Sequence, residues 1–183
     1  MNREDAIKLL KSYVKTENLL KHMFATEAIM KAIASHLGEN EEQWGLAGLL
    51  HDIDYEITAN DEGKHGIVAQ DILKGKVDET ILRAIKSHGF KNEADKPHEK
   101  IGIALVAADH VSGLLVASAR VMPRKKLGEL DVSSLRRKFN DSNFARGSLR
   151  ERIMMCEELE IPRDKFFEIA LRAVQSIAEV LGF

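Results

Sequence analysis

The sequence is poor in cysteine, proline and aromatic residues, and each shortage closes off a class of protein. A single cysteine, Cys156, among 183 residues rules out a disulfide framework, so nothing argues for an oxidising compartment. It follows Met154 and Met155 in a helical pattern and reads as a small packed hydrophobe. Three prolines and 12 glycines leave no collagen-like or low-complexity tract. No apolar–polar alternation persists long enough to make a strand, and no internal repeat or linker interrupts the chain. The opening residues, MNREDAIKLLKSYVK, are charged from the second position and lack the apolar centre of a signal peptide. The longest apolar run, Ile101 to Ala119, carries Asp109 and His110 at its middle, and either would be costly in lipid. It fits a buried helix with a functional centre. No membrane partner is expected, and the expected location is cytoplasmic.

Charge of one sign is also lacking. The net charge is −2, so bulk charge gives no reason to expect a nucleic-acid partner. The distribution is uneven, however. Between Arg120 and Arg146 there are 8 basic residues against 3 acidic ones, which makes that segment +5 and leaves −7 on the remainder. Such a segment is either a solvated face or a phosphate-attracting wall beside an active site. Phe139 and Phe144 are its only aromatics, too few for a stacking platform.

What is present is helical periodicity. Apolar residues make up 44% and charged residues 31%, an ordinary balance for a chain that buries one core. Ile7, Leu10 and Val14 mark a first helix over Glu4–Val14. Asn18 is placed to cap a second, with Leu19, Met23, Ile29, Ile33 and Leu37 inward and Gly38 as its stop. Asn40 caps a third, Glu41 to about His51. Residues 52–63 read as a loop. A helix from His65 to Leu73 follows, then one capped by Asp78 that runs to His88. The stretch 90–97 reads as another loop. A long buried helix covers Glu99–Val121 and stops at Pro123. A short helix is expected over Ser133–Phe139, one capped by Ser148 to Leu159, and a last from Arg163 to Leu181 with Pro162 at its start. The fold class is therefore all-α: a single-domain helical bundle over residues 1–183.

The chemistry lies in polar residues at apolar places. His51 and Asp52 end the apolar helix text LAGLLHD. His22 sits between Leu19-Leu20 and Met23-Phe24. Asp109 interrupts IALVAADHVSGLL. A buried carboxylate without a partner is expensive. Taken singly, His22 reads as a packed core histidine, Asp109 as the partner of Arg120 or a lysine, and His51-Asp52 as a helix-end cap. Taken together they suggest one polar centre, in which a divalent cation neutralises the carboxylates and accepts the histidine lone pairs.

The order His22, His51-Asp52, Asp109 resembles the H…HD…D signature of the HD superfamily of phosphohydrolases, and LLHDID resembles its HDIG variant. His65 in KHGIVAQDIL and His88 in ILRAIKSHG match the two additional histidines of dinuclear members. The resemblance covers residues 18–122, with residues 123–183 as C-terminal helices packed on that core, and it implies an HD-type helical bundle. Asp54 and Tyr55 stand where Gly and Lys often complete the HDIG-K text. That departure argues against carrying over the activity of cyclic-dinucleotide phosphodiesterases.

The resemblance implies that His22, His51, Asp52 and Asp109 hold a first ion, that Asp52 bridges, and that His65 and His88 complete a second site. His65 also reads as an exposed cap residue, and His88 as an imidazolium suited to a helix C-terminus. His36, His98 and His110 have no matching role. One or two divalent transition-metal ions are therefore expected, from manganese, iron, nickel and zinc. His51 and Asp52 would be catalytic through the metal-activated water. Asp54 or Glu56 would orient that water or protonate the leaving group, unless they are solvated loop carboxylates. Arg124 and Arg146 are candidates for receiving the substrate phosphate. The implied activity is hydrolysis of a small phosphorylated substrate, a nucleotide first among them. Two alternatives stand beside it: a non-catalytic nucleotide- or metabolite-binding regulatory module, and a di-iron oxygenase of the inositol-oxygenase type. A homo-oligomer is left open, because a helix face that packs in a core reads like one that packs in a dimer.

Overall fold

The computed structural model describes residues 1–183, except for the side chain of Glu62. Helices account for every regular element, with no strand among the described residues. They are α1 (Arg3–Tyr13), α2 (Glu17–Leu37), α3 (Glu41–Leu50), α4 (Tyr55–Thr58), α5 (Ile67–Leu73), α6 (Glu79–His88), α7 (Lys100–Arg120), α8 (Val132–Asn140), α9 (Arg150–Ile153), α10 (Arg163–Ser176) and α11 (Ala178–Leu181). Short 3₁₀ turns occupy Glu62–Lys64, Glu93–Asp95, Leu127–Glu129 and Met154–Leu159.

Local chemistry explains most of the boundaries. Asn40 and Asp78 accept the backbone N–H groups of Gln43 and Ile81, both at 3.0 Å, and so cap α3 and α6. Gly38, at φ +71°, ends α2 in the left-handed conformation that a glycine adopts without strain. The start of α2 differs from expectation. Its N-cap is Thr16, and Asn18 lies inside the helix. The carboxylate of Glu56, in α4, takes the N–H groups of Lys15 and Thr16 at 3.0 and 2.8 Å and so holds the chain at the helix entry from a distant element. The helix expected from Ser148 to Leu159 is also altered. It is a single α-turn, α9, that tightens into the 3₁₀ stretch Met154–Leu159.

The core is built around α2, α3 and α7, with α6 packed on α3 and α7 and α10 packed on α2 and α7. By length and composition α7 could cross a membrane, but 72% of its apolar window is buried inside the protein. Its Ala104–Ala108 segment and Leu114-Leu115 are fully inaccessible. The apolarity of α7 thus serves the core, which wraps it on several sides. Cys156 is buried as expected, and burial pushes its thiol up to about 12. Gly48 sets the α2–α3 separation: a Cβ there would lie 2.8 Å from the carbonyl oxygen of Thr26. That close approach brings the end of α3 beside the second turn of α2, where His22 lies.

Candidate metal centre

Six side chains from five separate places in the chain converge. His22 comes from α2, His51 and Asp52 from the end of α3, His65 from the turn before α5, His88 from the last residue of α6, and Asp109 from the middle of α7. His51, Asp52 and His88 are buried; His22, His65 and Asp109 are partly open to a cleft.

Asp52 divides the cluster in two. Its Oδ2 lies 3.5 Å from His51 Nε2 and 3.8 Å from His22 Nε2. Asp109 Oδ1 lies 3.0 Å from His22 Nε2 and 3.8 Å from His51 Nε2, and those two nitrogens are 3.2 Å apart. The other oxygen, Oδ1, lies 3.3 Å from both His65 Nε2 and His88 Nε2, which are themselves 3.1 Å apart. Donors held at about 2.1 Å from one ion stand roughly 3.0 Å apart at a right angle and roughly 3.4 Å apart at the tetrahedral angle. The spacing of both groups suits one ion each, with Asp52 reaching both.

Hydrogen bonds decide which ring nitrogens carry protons. His51 Nδ1 donates to the Gly48 carbonyl at 2.8 Å, and His88 Nδ1 donates to the Ile85 carbonyl at 2.6 Å. His65 Nδ1 stands 2.9 Å from Asp54 Oδ1, an approach set by distance and charge rather than by a straight N–H···O line. The Ser112 hydroxyl gives its one proton to the Asp109 carbonyl at 2.8 Å, so at 2.9 Å it accepts from His22 Nδ1. Neutral His22, His51 and His88 therefore present a lone pair at Nε2, and neutral His65 does so in the tautomer that sets its Nδ1 proton beside the Asp54 carboxylate. Four lone pairs and two carboxylates face one another at 3.0–3.8 Å. That arrangement is repulsive unless cations lie between them, and the donor set fits divalent transition metals.

The titration behaviour follows. Burial opposes charge on His22, His65 and His88, but the neighbouring carboxylates outweigh it and raise all three; His65 reaches about 10 through Asp52 and Asp54. His51 is buried most completely and falls to about 4. Burial would raise Asp52 and Asp109, yet the surrounding imidazoles hold both carboxyls low. Without metal, protons supply the positive charge that the carboxylates require.

The site opens into a cleft of about 710 Å³, whose floor includes His22, Asp52, His65, His88 and Asp109. The walls come from Tyr55, Phe90, Lys91, His110 and the 145–152 segment. Arg150 shapes that segment by donating to the carbonyls of Lys138, Phe139, Asp141, Phe144, Ala145 and Ser148.

Several expectations need correcting. Asp54 is no solvated loop carboxylate and is not placed to orient a water. It is fully buried; its Oδ2 accepts the N–H groups of Gly66 and Ala69 at 2.8 and 2.9 Å, and its Oδ1 faces His65. Glu56 is occupied with the start of α2, away from the cleft. The residues 52–63, read as loop, contain α4 and the start of a 3₁₀ turn. Neither Arg124 nor Arg146 lines the cleft. Arg124 is exposed and pairs with Glu129, and Arg146 is exposed and donates to Asn143 at 2.8 Å. Along the basic segment Arg136 likewise pairs with Asp164, which favours the solvated face over a phosphate-attracting wall. His36 and His98 are exposed. His110, given no role by the resemblance, lines the cleft, and burial lowers its pKa. Ser112 and Arg152 were missed altogether. Ser112 left a faint signal, a hydroxyl one helical turn beyond Asp109; Arg152 left none.

The family model described as HD domain matches residues 19–114. Ribonuclease Y of Pelobacter propionicus is 32% identical over 118 residues, covering 63% of this chain and 22% of that protein. Ribonuclease Y of Geobacter sulfurreducens is 30% identical over 149 residues, covering 78% and 28%. That of Geotalea uraniireducens is 28% identical over 160 residues, covering 85% and 30%. The chain thus spans less than a third of the length of these relatives. No solved structure matches it.

Proposed function

The chain belongs to the HD domain family, and from that premise we propose that it is a metal-dependent phosphohydrolase acting on a small phosphate ester, a nucleotide first among the candidates. The observation that carries this reading is the set of four Nε2 atoms and two carboxylates turned toward one another, with Nδ1 of His22, His51 and His88 hydrogen-bonded elsewhere and that of His65 facing the Asp54 carboxylate. His22, His51, Asp52 and Asp109 would hold one ion, and Asp52, His65 and His88 a second. Such ions supply Lewis acidity, which brings the pKa of a water toward neutrality and draws charge from a phosphoryl oxygen.

The chain's own residues do the rest. Ser112, Gly48 and Ile85 hold three of the imidazoles in one tautomer and one orientation, and the Asp54 carboxylate stands beside the fourth, His65. Asp52, reaching toward both groups, sets their separation. The cleft of about 710 Å³ is large enough for a mononucleotide and leaves the centre open on one side.

A second reading has its own observation. The cleft adjoins two smaller recesses. Past His65, Phe90 and Lys91 it meets a recess of about 340 Å³ that includes Lys86. Past His22 and Gly113 it meets another of about 270 Å³ that includes Lys21 and Arg120. A track with cations on both sides of the centre suits an extended phosphodiester such as RNA, which the name of the relatives also brings forward.

The test is elemental analysis of the purified protein, followed by turnover assays with manganese, iron, nickel and zinc. Nucleoside monophosphates, cyclic nucleotides and single-stranded RNA oligomers would be compared. Release of phosphate from a monomer supports the first reading, and cleavage of the oligomer alone replaces it with the second. Failure to bind any of the four metals removes both.

A further inference from the structure

We propose that Arg152 is the anion-binding residue of the cleft and receives non-bridging oxygens of the substrate's phosphoryl group. The inference rests on the phosphohydrolase reading for the identity of the ligand, but its evidence is independent of the metal centre. Among the described residues, Arg152 is the only arginine that lines the cleft. It lies in α9, outside residues 19–114 that match the family model, so nothing in the family signature assigns it a role.

Two contacts fix its position. The guanidinium lies over the Phe90 ring at 3.2 Å from the centroid, and Nη2 donates to the Phe90 carbonyl at 2.7 Å. A stacked guanidinium keeps its edge donors available in its own plane, as recognition of a tetrahedral oxyanion requires. The opposite nitrogen, Nη1, is buried and has no hydrogen-bond partner. An unpaired buried donor on a charged group is costly. In the protein's other arginine-rich contacts the guanidinium finds acceptors: Arg150 finds six carbonyls, Arg124 finds Glu129 and Arg136 finds Asp164. At Arg152 the surrounding protein provides one carbonyl and one ring face; Nη1 is enclosed, and Nε with the second Nη2 proton are the donors left for something that enters. Burial lowers its pKa while Glu151 and Glu93 oppose that effect, and an arginine remains charged throughout.

The location matches the chemistry. His110, beside Asp109, is close enough for the Arg152 charge to act on its ring. Both line the same cleft as the carboxylates that face the proposed ions. A phosphoryl group placed on the floor would have metal on one side and this fork on another. Such a clamp orients a tetrahedral group for attack.

The experiment is calorimetric titration of manganese-loaded protein with inorganic phosphate, comparing wild type with Arg152→Ala, Arg152→Lys and Phe90→Leu. Bound manganese and melting temperature would be measured on each sample. The subsite requires phosphate affinity to fall about tenfold to a hundredfold in Arg152→Ala, with metal content unchanged. Arg152→Lys should recover part of it, and Phe90→Leu, which loosens the fork without removing charge, should fall between. If Arg152→Ala fails to fold, Arg152→Lys and Phe90→Leu carry the comparison. Phosphate affinity unchanged in the folded variants, or no phosphate binding by loaded wild type, overturns the proposal. Arg152-dependent phosphate binding without turnover of any ester would uphold the subsite and remove the hydrolase reading, so the two fail separately.

Discussion

The hydroxyl of Ser112 lies 2.9 Å from Nδ1 of His22 and determines which nitrogen of that ring carries the proton. It can accept that N–H because its own proton goes to the carbonyl of Asp109, 2.8 Å away. One buried hydroxyl therefore orients His22 and ties it to the helix that carries Asp109. Replacing Ser112 with Ala should weaken binding of the first ion by about 10–100-fold, the usual consequence of losing an outer-shell partner. Competitive metal titration against a chromophoric chelator measures this. Unchanged affinity would mean that packing alone orients the ring.

Asp54 does two jobs that can be separated. Asp54→Asn keeps an oxygen for the N–H groups of Gly66 and Ala69 but loses the charge beside His65. Asp54→Ala loses both. The Ala variant should be less stable than the Asn variant by about 1 kcal/mol, the usual worth of a capping side chain, and both should retain less of the second ion. Urea denaturation with parallel metal analysis separates the two effects.

The two ion sites should respond differently to loss of a ligand. His51→Ala removes an Nε2 that faces both Asp52 and Asp109, so activity should be lost and both ions weakened while helicity by circular dichroism is retained. His65→Ala should cost one ion of two. A single ion in wild type that His65→Ala leaves in place would make the site mononuclear.

Protons and metal compete for the same imidazoles. In the ion-free protein His22, His65 and His88 titrate above their ordinary value, with His65 at about 10, whereas His51 titrates near 4 and is already neutral at pH 7. Metal loading at pH 7 should therefore release protons, and apparent affinity should rise with pH. Stability of the ion-free protein should run the other way. A raised histidine stabilises the fold below its unfolded pKa, about 6.5, and that contribution is lost as pH climbs through the folded value. For His65 the window extends to about 10. Chelated protein should melt lower at pH 9 than at pH 7, and loaded protein should not. Calorimetry in buffers of differing ionisation enthalpy counts the protons, and thermal scans test the second part.

Close packing of α2 on α3 leaves no room at Gly48. Gly48→Ala sets a methyl carbon 2.8 Å from the Thr26 carbonyl oxygen, and since that oxygen is backbone the helices must separate. Overpacking of this kind costs about 1–3 kcal/mol. The same movement draws His51 away from His22, so metal affinity should fall together with melting temperature.

Much of the fold could be read from the chain because its determinants are local. Asn40 and Asp78 cap the helices they precede, Gly38 stops α2, and the apolar run of α7 becomes the core. His22, His51, Asp52 and Asp109 stood out because each is a polar residue placed where helical periodicity demands an apolar one, whereas His65 and His88 were singled out only by the family resemblance. The start of α2 was misread because the acceptor that holds its entry, Glu56, is some forty positions away along the chain. Asp54 gave no sign of its burial because its partners are two backbone N–H groups and a ring brought in by the turn before α5.

The anion-binding side of the cleft shows the same division. Composition correctly located positive charge in the 120–146 segment, but a charge count does not say which guanidinium already has an acceptor. Arg124 and Arg146 find theirs within five residues along the chain. Arg152 finds Phe90, sixty-two residues away, and keeps a donor unpaired. Sequence alone determined most of the helices, the core and which polar residues stand at apolar places, because periodicity and the cost of burying charge act residue by residue. Only the tertiary structure decided the tautomers of three of the imidazoles and the lining of the cleft, because both depend on partners that the chain brings together from a distance.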